Sequence, residues 1–182
     1  MPALETRVLA LVESERARID PKARALTTDA ELTDIARRRS AEMAKLNSFD
    51  GNGDPHVSAT MLMRQDAKFQ GLVGENVAAQ HFTPGQEIDV EGFAKRFVET
   101  WVSSTPHKQN LSFPDYDRTG VGAAANGDTI YVTQLFTTDL GLGLKPTGQD
   151  QDVKAVETPQ QGKDESGETV PLRGAILPGN AQ

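Results

Sequence analysis

Residues 71–80, GLVGENVAAQ, place one acidic residue, Glu75, within a run of small and apolar residues. The run predicts a short β-strand, and the neighbours Leu72, Val73 and Val77 predict that Glu75 is partly buried. A buried carboxylate is costly unless a hydrogen bond, an opposite charge or a metal ion compensates for its lost hydration. The function of the chain therefore depends on which side chains face Glu75.

Only three histidines occur in the 182 residues, and two of them, His56 and His107, lie in polar loop sequence on either side of this run. We predict that they fold back to form a cleft with Glu75. Two neutral imidazoles and a carboxylate suit Zn²⁺ through its preference for nitrogen and oxygen donors, with one position left open to water. The alternative is that both histidines cap loops and Glu75 binds backbone amides. His81 is predicted to lie on the surface.

The composition favours one domain with one hydrophobic core. The net charge of -7 and the pI near 5.0 argue against nucleic-acid binding. The arginine run at 37–39 is predicted to lie on a solvated helix face. The absence of cysteine excludes disulfides and thiolate metal sites. No apolar run approaches the roughly 20 residues that cross a bilayer, and the first residues lack a signal-peptide core, so the chain is either cytoplasmic or begins at a mature N-terminus.

Helical patterns dominate the first hundred residues. Residues 3–18 predict an amphipathic helix, and Thr28 with Glu31 forms a capping box that predicts the start of a second helix. Weak helical spacing follows in VSATMLMRQDAKF. The strongest stripe runs from Val90 to Val102, where Phe97 and Trp101 are predicted core residues.

The last third of the chain predicts a polar loop, a β-hairpin and a tail. His107 lies in the loop, and GVGAAA and TIYVTQLF are joined by a turn in which Asn126 and Gly127 supply positive backbone angles. The strands of the sheet are therefore predicted to be late and antiparallel. Residues 145–182 are rich in Pro, Gly, Gln and acids and are predicted to form a low-complexity tail, whose end, VPLRGAILPGNAQ, is apolar enough to dock on the domain.

The sequence contains two further patterns that suggest a site, a calcium loop and a hydrolytic triad. Asp50, Asn52 and Asp54 space oxygen donors as a calcium loop would, but no glutamate follows at the twelfth position. Ser104, His107 and Glu75 suggest a hydrolytic triad, but the sequence lacks a nucleophile elbow of the Gly-x-Ser-x-Gly type. Neither pattern predicts a site.

Taken together, five segments resemble the CAP superfamily, also called the SCP domain, in its compact bacterial branch. They span residues 4–136 and are ALVESERAR, LTTDAELTDIARRRSAEMAKLNSF, VGENVAAQ, the helix ending in WVSSTPH, and TGVGAAANGDTIYVTQLF. The resemblance implies an α/β/α sandwich with a small antiparallel sheet between helices. It places the domain at residues 1–144 and the tail at 145–182.

The resemblance also implies a cleft with two His and two Glu, which binds a divalent metal such as zinc in several members. The matching positions in this chain are His56, Glu75 and His107. The fourth position is Ser104, and Glu99 lies on a different helical face, so a three-membered site is expected. Some members bind sterols or fatty acids, which leaves a small or apolar ligand open.

On this basis we predict a secreted or periplasmic binding module, monomeric and without a membrane span, whose export is implied by the resemblance and whose signal peptide is absent from this chain. One alternative is a metal-assisted hydrolase in which Glu75 is the general base. A second is a structural domain that displays its tail. Catalysis is not the favoured prediction, because no nucleophile with its oxyanion hole is recognisable.

Overall fold

A five-stranded sheet lies between two groups of helices. The computed structural model describes residues 1–49, 57–66, 69–83, 85 and 87–138, together with the backbone of 175–176. The elements in chain order are α1 (Pro2–Ile19), β1 (Thr27–Thr28), α2 (Ala30–Leu46), α3 (Val57–Gln65), β2 (Val73–His81), α4 (Val90–Ser103), α5 (Thr105–Ser112), β3 (Arg118–Asn126), β4 (Thr129–Thr137) and β5 (Ala175–Ile176).

The strand order is β1-β3-β4-β2-β5. The hairpin β3–β4 and the pair β2–β4 are antiparallel over nine residues each, and Glu75 lies opposite Leu135. The predicted hairpin is therefore confirmed. The prediction of late, antiparallel strands is wrong for β1, which pairs in parallel with β3 near Thr27.

Helices α1, α4 and α5 cover one face of the sheet. The predicted stripe of α4 is confirmed, since Phe97 and Trp101 have no exposed surface. These helices share one apolar cluster with the sheet, whose largest members are Leu4, Phe93, Phe97, Trp101, Leu111, Tyr116, Ile130 and Phe136. This face contains most of the hydrophobic core, and its burial is the main source of stability.

Helices α2 and α3 cover the opposite face, where two glycines allow close approach. A Cβ on Gly120 would lie 2.3 Å from the backbone of Leu32, and one on Gly122 would lie 2.1 Å from the backbone nitrogen of Arg37. The GVG sequence of β3 thus lets α2 lie directly on the sheet. The predicted α/β/α sandwich is confirmed.

Two local predictions need correction. Asp29, and not Thr28, caps α2, because its carboxylate accepts hydrogen bonds from the backbone N–H groups of Glu31 and Leu32. At the hairpin turn Gly127 has a φ of +59°, whereas Asn126 has no positive φ. The predicted cap of α2 is thus displaced by one residue, and at the hairpin the prediction is confirmed for Gly127 and wrong for Asn126.

Helix α5 was predicted as a loop. Its sequence, TPHKQNLS, has no apolar periodicity, and its buried residues are Asn110 and Leu111. Proline in the first turn is a helix-start signal, because that residue needs no backbone donor there. His107 therefore lies on a helix.

The tail prediction concerns residues outside the described ranges, apart from Ala175–Ile176. The boundary between a domain at 1–144 and a tail at 145–182 stays a prediction. Within the described ranges, no helix combines the length and the hydrophobicity that crossing a bilayer requires.

Candidate functional site

Glu75 lies in the third position of β2, and its side chain points toward α2 and α3. Side chains alternate across a strand, so Glu75 shares this face with Val73, whereas the next residue, Asn76, faces α5. The Oγ of Ser58, on α3, donates a hydrogen bond of 2.5 Å to Glu75 Oε1. The Nε of Arg39, on α2, lies 3.6 Å from the same oxygen. The carboxyl group is thus held between two helices.

The electrostatics of Glu75 are unusual for a paired carboxylate. Burial raises its pKa, and the hydrogen bond from Ser58 and the charge of Arg39 lower it by less, so that the pKa lies above the ordinary glutamate value. The side chain keeps 25% of its surface exposed. Glu75 is therefore a partly buried carboxyl that accepts a proton more readily than a surface glutamate.

Arg39 is the residue whose position the sequence analysis predicted wrongly. It was expected on a solvated face, but its side chain is 5% exposed. One terminal nitrogen donates to the backbone oxygen of Phe49 at 2.7 Å, and the other lies 3.7 Å from Glu42. Arg38, in contrast, is half-exposed and pairs with Asp34, as expected. The buried guanidinium supplies a fixed positive charge beside Glu75.

His107 lies on α5, which belongs to the other side of the sheet. Its backbone oxygen accepts a hydrogen bond of 3.2 Å from the side-chain amide of Asn76. The ring nitrogen Nδ1 is buried and has no hydrogen-bond partner among the described residues, and burial lowers the pKa of the ring. The structure describes both His107 and Glu75, and it connects their side chains by neither a hydrogen bond nor an ion pair.

A pair of buried amides links α5 to β2. Asn110 Nδ2 donates to Asn76 Oδ1 at 3.0 Å and to the backbone oxygen of Glu75 at 2.9 Å. Asn76 and Asn110 are both buried. Sequence reasoning missed this network, although a polar residue directly after Glu75 in an otherwise apolar strand was a signal for it. The network fixes the position of His107 relative to Glu75 through the backbone.

His56 lies outside the described residues, as do Asp50, Asn52 and Asp54. Among the residues that the structure describes, no group of three His, Asp or Glu side chains could hold a metal ion. The described part thus contains two of the three predicted ligands, and one of these, Glu75, is already paired with a cation. By themselves these residues do not fit a zinc site.

Ser104 does not form a hydrolytic triad with His107 and Glu75. It lies between α4 and α5, and its side chain makes no capping hydrogen bond to α5. His81 ends β2 with its side chain 81% exposed, as predicted for a surface residue. Two surface recesses of about 330 and 290 Å³ lie beside Val98 and beside Phe93, and neither is lined by Glu75 or His107.

Comparison with known proteins identifies the family. The family model of the cysteine-rich secretory proteins, CAP, matches residues 15–136. The chain belongs to the CAP family. The resemblance that the five sequence segments indicated is confirmed, and Glu75, Arg39 and His107 all lie within the matched region of this CAP domain.

Bacterial relatives cover most of this CAP domain. The protein YkwD of Bacillus subtilis, described as uncharacterized, is 28% identical over 134 residues, which form 74% of this chain and 47% of YkwD. The chain thus spans about half the length of this curated relative. A solved extracellular protein with an SCP domain from Bacillus anthracis is 26% identical with a TM-score of 0.56, over 75% of this chain and 40% of that protein.

One structure of lower sequence identity was solved with a metal ion. NaASP2, solved with Zn²⁺, is 13% identical with a TM-score of 0.54, over 75% of this chain and 80% of that protein. At this identity the likeness establishes the fold alone.

Proposed function

We propose that this CAP domain is a binding module that acts outside the cytoplasm and that its ligand contacts the carboxyl group of Glu75. Export is supported by the extracellular Bacillus anthracis relative. The ligand lies on the side of the sheet covered by α2 and α3, where Arg39 and Ser58 contact Glu75.

One observation is the main support for this proposal. Glu75 is a partly exposed carboxyl with a raised pKa, its hydrogen bond from Ser58 falls on Oε1, and the closest approach of Arg39 is to the same oxygen. Among the described residues, no hydrogen bond reaches Oε2. Polar groups with perturbed pKa values are enriched at functional sites, because binding and catalysis need pKa values matched to their task.

Zinc is the first ligand to test at Glu75. His56 and His107 stay its proposed partners, although α5 places His107 on the other side of the sheet and the described residues alone do not fit a zinc site. The donor types suit zinc, and a protein of the same fold has been solved with Zn²⁺. The guanidinium of Arg39, 3.6 Å from Glu75, opposes a divalent cation. We therefore expect weaker binding than at a structural zinc site.

A metal-assisted hydrolase is the second candidate, and the raised pKa of Glu75 is the observation in its favour. A general base acts best when its pKa approaches the working pH. The two candidates differ after chelation, since a hydrolase loses its activity with the metal, whereas a binding module keeps a ligand that hydrogen-bonds to Glu75.

The test is a zinc titration by calorimetry on the wild type, on Glu75→Gln and on the double variant His56→Ala, His107→Ala. We expect affinity to fall about tenfold or more in both variants, as loss of a ligand or its support commonly causes. The matched control is His81→Ala, which removes an exposed histidine at the end of β2. Equal zinc uptake by the wild type and the double variant would show that the metal hypothesis is wrong.

A further inference from the structure

The outer edge of β2 is the feature from which we draw a further inference. Leu72 accepts a backbone hydrogen bond from Thr138, and Phe82 donates one to Asp128, so even-numbered positions of this strand face β4. Backbone groups in an antiparallel pair alternate in direction. The backbone groups of the odd-numbered residues from Val73 onward therefore point away from β4, toward the outer edge.

Two parts of the chain cover the beginning of this edge. In β5, Ile176 lies opposite Val73 and Ala175 lies opposite Gly74, in antiparallel register. At the next outward-facing position, the side chain of Asn110 donates to the backbone oxygen of Glu75. Helix α5 thus supplies the hydrogen bond to the β2 edge at the position where β5 ends. This accounts for the two-residue length of the β5 pairing.

The remainder of the edge has no strand beside it within the described residues. Such an edge presents backbone donors and acceptors in a row, and an extended segment can add to it through backbone hydrogen bonds. The β2 edge therefore has the chemistry of a strand-docking site, and the structure shows which segment of this chain pairs with it.

The sequence around β5 suits this role. Pro171 and Pro178 bracket the six residues LRGAIL, and proline cannot donate to a neighbouring strand. A short segment limited by prolines can pair with an edge without extending into a long, stable strand. The pairing brings Ala175 beside β2 across the length of chain between Thr138 and Ala175, and closing that length costs chain entropy. A short pairing is therefore reversible.

We propose that the outer edge of β2 is a strand-docking site and that its occupant is the chain's own C-terminal segment around Ala175–Ile176. Docking is reversible, and an extended peptide of the same chemistry competes for the edge. The docked segment ends beside Glu75 in the sheet. The inference does not depend on which ligand Glu75 binds, since it concerns the backbone edge alone.

Hydrogen exchange at the backbone amide of Val73, followed by NMR on the full chain, tests the proposal. Val73 and Ile176 face each other through their backbone groups, so Ile176→Pro removes the N–H that this pairing uses. We expect the Val73 amide to exchange about fivefold faster in this variant. The control is Ala175→Pro, because the N–H of Ala175 points away from β2, and exchange should stay at the wild-type rate.

A synthetic peptide, VPLRGAILPGN, with the sequence of residues 170–180, tests the occupant. Added to the Ile176→Pro chain, it should slow exchange at Val73 again, whereas the same peptide with proline at the position of Ile176 should not. Unchanged exchange in both variants, or equal effects of the two peptides, would overturn the proposal. The amide of Val132, in the central strand β4, reports that the domain stays folded.

Discussion

Two glutamates of this protein, Glu5 and Glu75, face an arginine of the same helix, α2, yet their pKa values shift in opposite directions. Glu5, on α1, accepts hydrogen bonds of 2.5–3.1 Å from Arg37 and one of 3.1 Å from the backbone N–H of Ala123. Burial raises the pKa of Glu5, but these bonds, together with the charges of the N-terminal amine and Arg37, lower it by more. Glu75 has one short hydrogen bond and a looser ion pair at 3.6 Å, and its pKa rises.

The difference separates a structural carboxylate from a candidate binding one. The contacts of Glu5 involve both of its oxygens and connect α1 to α2 and β3, while its side chain is only 7% exposed. Glu75 is more exposed, and its hydrogen bond from a described residue uses one oxygen. A group kept for a ligand need not be optimal for stability, whereas a structural one must be.

The largest expected effect is at Glu5. Glu5→Gln removes a buried negative charge from Arg37 and weakens the bond to Ala123, so we expect the free energy of unfolding at pH 7 to fall by about 2–3 kcal/mol. Urea denaturation followed by the fluorescence of Trp101, the one tryptophan, measures it. Glu91→Gln is the control, since this exposed glutamate pairs with Arg7 on the surface and its loss should leave stability unchanged.

A smaller effect is expected at Ser58. Ser58→Ala removes the hydrogen bond to Glu75, so the pKa of Glu75 should rise further and stability at pH 7 should fall by about 1 kcal/mol. Carbon-13 NMR titration of the glutamate carboxyl groups measures the pKa. In Ser103→Ala, whose hydroxyl bonds only within α4, the pKa of Glu75 should match the wild type. A lower pKa of Glu75 in Ser58→Ala would contradict the role given to this bond.

The fold was largely predictable because apolar periodicity and turn residues determine it. The stripe around Phe97 and Trp101 and the hairpin at Gly127 follow from local patterns that the structure confirms. Helix α5 was missed, since it is short and Leu111 is its one buried apolar residue. Its register depends on the amide pair with β2, which is a tertiary contact.

The candidate site was predictable only in part. The burial of Glu75 followed from its apolar neighbours, but the partner was expected to be histidine, whereas the described partners are Arg39 and Ser58. A signal for Arg39 existed, because it lies four residues from both Ile35 and Met43, on the buried stripe of α2. Charged residues face solvent on isolated surface helices, but this rule fails where a helix covers a buried carboxylate.

The two glutamates make stability depend on pH in opposite directions. The lowered pKa of Glu5 contributes stability above the unfolded-state value, and that stability is lost as the pH falls through the folded-state value. The raised pKa of Glu75 contributes stability at low pH, which is lost as the pH rises from about 4.5, the ordinary pKa of a glutamate, through the folded-state value. Glutamine at either position removes the corresponding change.

The unfolding free energy of Glu75→Gln, measured against the wild type at pH 4 and pH 7, tests the central claim that Glu75 is kept for a ligand. We expect the variant to lie within about 1 kcal/mol of the wild type at both values, and to gain relative to it as the pH rises, because the ionised carboxylate is costly in this position. A loss at pH 7 as large as that of Glu5→Gln would contradict the account, since Glu75 would then be a structural carboxylate.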